Sequence, residues 1–587
     1  MSPRLRTAAI LVAMITAYLP ALCAEPGDST GKSRHLREVT VSAIGPRRIF
    51  RPDNTTGAIT IDGQRMNETP AFMAVADPVA LVKTMPAVAS TNELQANISV
   101  RGGGPGDNRF TADGAPIANP MHMLGLFSAY NPDFYDHYTF RPGRIPATTA
   151  SSAAGVFEAS TTTEPDSTIR GRLTAGLIES HGAIHVPLMP GRVSLSAGAR
   201  STYLSTVFPN LLKLGSSTLD YGFTDLNLAL KARLTHQDLL KISAIANRDR
   251  MEAKNDKNGS KDGHFGWSNL ATSATWTHRN TIAALTYSQY KNTFKLNEGG
   301  RDLDLPSRLT LATASAVTPL GSHWLAETDL NIRHTTGQHN RATGETGDRS
   351  RTSIEWNIGA SYRMSTQMLD LDAGLRMTLY HCHHYTTLLP QPRVNISLRP
   401  SEIAIPYMSY SRTTTFDRLI QESNGGLPAD FHTCADSDIP YLDSHNLETG
   451  VSGLIPGVYL NYIIEAYYKI MRNCGEYTGS LLDLTNASYN PLSDYHTGRG
   501  YATGLSVTLM RQFGRLRGRI SYNIGTSRVK IPAISDKTFP TASDRLHDLS
   551  ATIPGEPLSQ TVDSRKTVRR SPSFSSSICS QSRLKTP

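Results

Sequence analysis

The sequence predicts a membrane all-β protein: an antiparallel transmembrane β-barrel preceded by a small mixed α/β domain. Three observations carry this. From about residue 168 apolar and polar side chains alternate with period two, the signature of strands. The alternating runs extend for about 10 to 14 residues, against the usual 5 to 6 of soluble sheets. Their connections alternate in length, as expected of a barrel with short turns at one rim and long loops at the other.

Composition sets the frame. The chain has 587 residues, long enough for several domains or one large barrel. It is 39% hydrophobic and 19% charged, with 45 Gly and 34 Pro spread along it, which excludes a coiled coil or an acidic disordered chain. Helical membrane proteins need apolar runs near 20 residues, and only the N-terminus approaches this. The net charge of +9 is modest and partly concentrated in the last thirty residues, so nucleic acid is not an expected partner. Five cysteines exclude a disulfide scaffold.

Taking the chain in order, residues 1–24 read as a secretory signal peptide. Arg4 and Arg6 precede an apolar stretch with Ile10, Leu11, Val12 and Ile15, ending in Ala21-Leu22-Cys23-Ala24. Leu22 is too bulky for lipid attachment at Cys23. A polar arm follows at 25–47. Residues 48–165 are rich in Gly and Pro and have only short apolar runs (Gly57 to Ile61, Val79 to Met85, Ile98 to Val100), a small mixed domain.

The barrel occupies 166–554. Leu369, Leu371, Ala373, Leu375, Met377 and Leu379 alternate with Asp370, Asp372, Gly374, Arg376 and Thr378. Leu516, Gly518, Ile520, Tyr522 and Ile524 alternate with Arg517, Arg519, Ser521 and Asn523, and Val458 to Tyr468 behaves likewise. Short connections fall at Pro190-Gly191, Leu320-Gly321-Ser322, Arg399-Pro400-Ser401 and Ile455-Pro456-Gly457; long ones cover roughly 251–266, 335–351, 413–445 and 472–500. The apolar face is expected to meet lipid and the charged face to line the lumen, closure satisfying the backbone. About 17 complete strands are expected from Arg172 to Val529, with a partial one near Leu546 to Ile553. A lumen that wide needs a filling, and 48–165 is the candidate.

Residues of that segment carry a resemblance. Asp77-Pro78-Val79-Ala80-Leu81-Val82-Lys83-Thr84-Met85-Pro86 is followed by Ile98-Ser99-Val100-Arg101-Gly102-Gly103, Asp113-Gly114-Ala115-Pro116, Gly125-Leu126-Phe127-Ser128, Asn131-Pro132-Asp133 and Gly143-Arg144-Ile145-Pro146. In order and spacing this resembles the plug of TonB-dependent outer-membrane receptors, particularly the Bacteroidota type. The likeness continues through Leu389-Pro390-Gln391-Pro392-Arg393, Gly426-Leu427-Pro428 and Tyr467-Tyr468-Lys469 and ends near Arg545-Leu546-His547, covering about 36–550. It implies a plug built around Arg101, Gly102, Asp113, Gly114, Asn131, Pro132 and Asp133, inside a barrel that in the family has 22 strands. Leu36 to Ala43 looks like a TonB box, with Glu38, Val39, Thr40, Val41 and Ser42 as the TonB-binding residues. An extended arm of this kind can add as a strand to a partner's sheet edge; the alternative is an ordinary first strand.

The resemblance implies an exported protein of the Gram-negative outer membrane. Its partners would be TonB with its inner-membrane energising complex, outer-membrane lipid, and an unidentified small-molecule or oligomeric ligand. It would import a scarce, bulky nutrient (siderophore iron or haem, cobalamin, an oligosaccharide or peptide) as the proton-motive force remodels the plug. No enzyme activity, cofactor or resident metal is expected, and no catalytic set stands out. A non-energised, adhesin-like barrel is the alternative; a secreted β-rich hydrolase is disfavoured by the lipid-compatible strand face.

Some motifs have two readings. Gly102-Gly103-Gly104-Pro105-Gly106-Asp107 lacks the Gly-Lys-Ser/Thr ending of a phosphate loop and reads as a tight turn. His381-Cys382-His383-His384 has metal-ligand chemistry, but sits at a predicted outer strand end; either it is a bare rim, or His383 and His384 contact a metal-bearing ligand. Met121, His122 and Met123 are either a ligand-contacting plug apex or packing under loops. Cys434 and Cys474 fall in predicted long loops on one side of the membrane, where they could pair.

Past Thr552 the pattern breaks. Ala551 to Pro587 holds 9 Ser and 6 Lys/Arg against 2 acidic residues, with no strand period. Residues 555–587 are expected to form an atypical, disordered tail adding no strands, so the sheet would stop near strand 17 or 18, short of the family's 22 and without its closing aromatic residue. The expectation is a barrel truncated or frame-shifted near residue 553, with a non-functional receptor as the corresponding alternative in function; the other reading is a divergent terminal tail.

Overall fold

The computed structural model describes residues 50–52, 57–68, 75–90, 98–122, 125–146, 152–209, 213–214, 217–255, 261–298, 301–337, 350–421, 430–480, 483, 489–511 and 518–552. The signal peptide, the TonB box, Met123 and the tail lie outside them. No helix among the described residues is long and apolar enough to cross a membrane.

Period two becomes a 20-stranded antiparallel sheet running from Arg170–Ala175 to His547–Thr552. Two members, Lys213–Leu214 and Phe539–Pro540, are two-residue pieces, which leaves eighteen wall strands. Almost all neighbours in the wall are neighbours in sequence, a meander. The interruption is the hairpin Asp417–Ile420 with Phe431–Cys434, which forms its own two-stranded sheet. Among the described residues the first and last wall strands are not paired with each other.

The wall is apolar outside and polar inside. On Ser217–Arg233, Leu226 and Leu228 are about half exposed, at 54% and 52%, whereas Asp225, Asn227 and Lys231 between and beside them are at most 1% exposed. On Arg351–Ser365, Ile354, Trp356 and Ile358 point outward and Ser353, Asn357 and Ser361 inward. The same inversion holds for Ile520, Tyr522 and Ile524 against Arg519, Ser521 and Asn523. A continuous apolar exterior over a polar, buried interior suits hydrocarbon and not water. This is the expected antiparallel membrane barrel with an N-terminal mixed domain.

The strands differ from expectation in length. Those between Ser217 and Leu320 are 17 to 20 residues long. The expected loop at 251–266 is largely the facing ends of Asp238–Asn255 and Lys261–His278. Crossing hydrocarbon takes about 9 to 11 residues. The apolar alternation ends at the lipid boundary, but the hydrogen-bond ladder continues into water, where either face can be polar. The short turns are where Gly and Pro place them, after Met189, Leu320, Leu398 and Ile455.

The mixed domain is built on a six-stranded sheet that includes Ile59–Asp62, Arg109–Ala112, His137–Arg141 and Val156–Ser160. Val156–Ala159 runs parallel to Arg109–Ala112 and the other pairs are antiparallel. The helix Pro78–Lys83 starts where Asp77 caps it. Asp77 Oδ1 accepts from the amides of Val79 (2.8 Å) and Ala80 (3.0 Å), and Pro78 supplies the preset φ of a first helical residue. Its Val79 and Val82 join Ile61, Val100, Tyr130, Tyr138 and Phe140 in the core. That core is completed by wall side chains, Ala183, Ala229, Ile245, Ala271 and Met510. Small residues on the inner wall let the domain seat directly against the sheet: it is a plug.

Candidate functional site

The plug is held to the wall by buried charges. Arg101 donates to Glu448 and Glu465 of two adjacent strands, Leu442–Ile455 and Leu460–Tyr477. Arg144 Nε lies 3.2 Å from Glu448 Oε1, and its guanidinium stacks 3.7 Å over the Tyr407 ring. Tyr407 Oη donates to Glu465 Oε2 at 2.7 Å. Burial opposes the Arg101 charge, but the two glutamates outweigh it and raise its pKa above the ordinary value. Gly102, at φ +73°, follows in a left-handed conformation, and a Cβ there would meet Ala502 at 2.6 Å and Ser527 at 2.5 Å.

A second joint centres on Asp113. Its Oδ1 accepts from Lys241 Nζ (2.8 Å), from the Thr161 amide (2.8 Å) and from Thr161 Oγ1 (3.0 Å). Gly114 follows at φ +84°, completing a turn in which both residues have positive φ. A third joint uses Asn131, whose amide nitrogen donates to Gly182 O and Ala199 O of the wall at 3.1 and 3.2 Å. Asp133 accepts from Thr174 Oγ1 at 3.1 Å and lies 3.5 Å from both Arg172 and His181. Pro132 begins the turn between them. Arg101, Gly102, Asp113, Asn131 and Asp133 therefore meet the wall directly, whereas Gly114 is an exposed turn residue.

His122 is buried, with Nδ1 2.8 Å from Asp249 Oδ2 and Nε2 2.9 Å from Asp225 Oδ1. Its ring stacks on Phe223 at 4.2 Å. Burial works against protonation, yet the two carboxylates prevail and raise its pKa to about 10. It is a cationic tether within the structure, not a surface that meets a ligand.

Beside these joints lies a cavity of about 190 Å³. The plug contributes Pro105 to Phe110 and Pro116 to Met121, the wall Trp267, Tyr290, Arg333 and Glu355, and the hairpin Asp417 and His432. Arg333 is largely buried, and neither its Nε nor its Nη1 has a hydrogen-bond partner among the described residues. Glu355 Oε2 is 4.0 Å away, a long ion pair. Burial acts to raise the Asp417 pKa, but His432 and Arg333 outweigh it and hold it at about 2. Burial pulls Arg109 below its ordinary value, against Asp329 and Glu355. The site thus offers an aromatic side and a guanidinium with donors to spare. Its volume suits one ring-sized group of a larger ligand, since sites for whole drug-sized molecules are about 300 Å³ or more.

Of the sequence-stated contact candidates, Met121 lines this cavity and His122 is sealed below it. His383 and His384 form the exposed tip of a two-residue turn between Leu369–Cys382 and Tyr385–Leu398, away from the cavity. The pairing of Cys434 with Cys474 is not formed. Cys382, Cys434 and Cys474 are all free thiols, and the last two lie apart: Cys434 packs with Tyr380, Cys382 and Phe416, Cys474 against a separate cluster of Ala153, Leu442 and Met471. Arg144, Lys241, Asp225, Asp249, Arg333, Glu448 and Glu465 went unidentified as functional. Their signal was present: each wall member is a charge at an inward period-two position.

No family model matches the chain, and no curated protein matches it by sequence. Its fold matches solved structures. The siderophore receptor PirA from Pseudomonas aeruginosa superposes with a TM-score of 0.57 at 14% identity, over 81% of this chain and 86% of that one. The pyoverdine outer-membrane receptor FpvA from Pseudomonas aeruginosa PAO1, bound to pyoverdine, gives 0.60 at 14% identity, over 85% and 81%. The outer-membrane transporter YddB from Escherichia coli gives 0.59 at 10% identity, over 82% and 78%. The chain therefore has the fold of plugged outer-membrane receptor barrels.

Proposed function

We propose that the protein is an outer-membrane receptor that takes up a ferric siderophore through TonB-driven movement of its plug. The observation that carries this reading is the arrangement of the cavity. It lies between plug apices, luminal aromatics and a loop hairpin, next to a plug seated on small apolar wall side chains and tied to the wall by ion pairs. Arg333 supports an anionic group on the ligand, since its spare donors favour carboxylate, hydroxamate or catecholate oxygens. The fold it shares with receptors for siderophores supports the iron-carrier class. Glu38 to Ser42 serve as the strand that TonB captures, and lipid surrounds the wall.

Growth of the host in iron-depleted medium on ferric hydroxamates, ferric catecholates or haem, with and without the gene, tests the ligand class. A ferric siderophore is expected to support growth only when the gene is present. Val39→Pro removes a main-chain donor from the arm and should abolish that growth while leaving siderophore binding to whole cells intact. Growth on every iron source that is indifferent to the gene, with loss of growth on cobalamin or a glycan, overturns the siderophore assignment. Gene-dependent growth that survives removal of residues 36–43 overturns the energised mechanism.

A further inference from the structure

Cys382 is the last residue of the wall strand Leu369–Cys382, immediately before the two-residue turn. It shares the inward face with Tyr380, and both are fully buried. Cys434 is the last residue of the hairpin strand Phe431–Cys434 and is also fully buried. The two segments are pinned to each other at the neighbouring residues. Tyr380 stacks on Phe416 at 4.0 Å and donates through its Oη to Ala435 O at 2.7 Å, and the Ala435 amide donates to Phe416 O at 2.9 Å. Cys434 Sγ lies 4.0 Å from both Arg351 O and Thr335 Oγ1. Arg351 is two residues from Ser353, which stands opposite Cys382 in register. Both are free thiols in this structure and pack in one buried cluster with Tyr380, Leu389, Phe416 and Ala435.

We propose that Cys382 and Cys434 form a disulfide that staples the hairpin strands Asp417–Ile420 and Phe431–Cys434 to the barrel wall at the edge of the cavity. The setting in an oxidising exported compartment rests on the function proposed above. The bond forms as the hairpin docks, while both sulfurs can still be reached. A thiolate of the pair attacks one sulfur of an external protein or small-molecule disulfide and expels the other as a thiol. The second cysteine then attacks the mixed disulfide. Two cysteine thiols and one external disulfide become one Cys382–Cys434 bond and two external thiols, so the external disulfide takes up both electrons and both protons. The staple fixes Asp417 and His432, which line the cavity, against Arg333 on the wall. It also gives His381-Cys382-His383-His384 a role other than metal binding: its cysteine forms the bond, and His383 and His384 form the turn.

The test is peptide mapping of the full chain. Cells are quenched with N-ethylmaleimide, the outer-membrane fraction is digested without reductant, and cysteine-containing peptides are identified by mass. The expected result is one linked species joining the peptides of Cys382 and Cys434, abolished by Cys382→Ser or by reduction and unchanged by Cys474→Ser. In Cys382→Ser, Cys434 should carry the maleimide. Both thiols alkylated in chain recovered from the outer membrane, or Cys434 linked to Cys474, overturns the proposal. Should the chain be recovered elsewhere in the cell with reduced thiols, it is the outer-membrane reading that fails. The detergent-solubilised full chain is then treated with oxidised glutathione. Formation of the Cys382–Cys434 link supports the proposal, and two thiols that stay free overturn it.

Discussion

His122 holds the charge balance of the plug apex, since two wall carboxylates, Asp225 and Asp249, converge on it out of water. Its pKa of about 10 lies above the ordinary 6.5. Below about pH 6.5 the imidazole is protonated whether the chain is folded or unfolded, and its contribution is complete. Above that the unfolded chain loses the proton first, so the contribution falls until the pH passes about 10. Lys83, lowered to about 8 chiefly by burial, has the opposite sign, and its folding penalty is relieved from about pH 8 upward. The His122 effect is therefore read as the difference between wild type and His122→Leu in urea midpoints, followed by Trp267 fluorescence. The gap should be widest near pH 6, about 3 to 5 kcal/mol for carboxylates left unpaired, and should shrink toward pH 10. A gap independent of pH contradicts the tether. At the cavity, Arg333→Gln should weaken siderophore binding about tenfold or more, as expected for a lost charged hydrogen bond. Unchanged affinity removes Arg333 from the site. The tethering role of His122 was not legible in the sequence, and that of Arg333 showed only as a charge at an inward period-two position. Asp225 and Asp249 lie more than a hundred residues from His122, and only the fold brings them together.

At the scale of elements, the short helix Pro78–Lys83 illustrates what local sequence does show. Asp77 followed by Pro78 is a start signal, and the structure uses that Asp twice, Oδ1 capping the helix and Oδ2 accepting from the Ser128 amide. Asp77→Ala should cost the plug about 1 to 2 kcal/mol, read as a lower urea midpoint for the Trp267 signal. An unchanged midpoint would mean that the plug's stability does not depend on this end. The wall strands were legible in kind, from period two, and in their short turns, from Gly191, Gly321, Pro400 and Pro456. Their full length was not, because the ladder from Ser217 to Leu320 runs on where no apolar face is required. The hairpin Asp417–Ile420 with Phe431–Cys434 was hidden inside an expected loop. Four-residue strands resting on Phe416, Tyr380 and Ile439 carry too little alternation to register.

The whole molecule is arranged inside out: apolar outside, charged inside, with a plug in the lumen. Two tryptophans report on it separately. Trp356 stands on the outer face between Ile354 and Ile358 and is 39% exposed. Trp267 is 4% exposed on the inner face, its Nε1 donating to Met121 O of the plug at 3.0 Å. The chain has four tryptophans, so each can be left alone by three Trp→Phe changes at the others. The deciding measurement is the fluorescence of the Trp356-only and Trp267-only proteins in bilayers of phosphatidylcholine brominated on its acyl chains. Bromine should strongly quench Trp356 and leave Trp267 nearly as bright as in unbrominated lipid. Equal quenching of both, or quenching of Trp267 alone, would contradict a lipid-facing wall around a luminal plug.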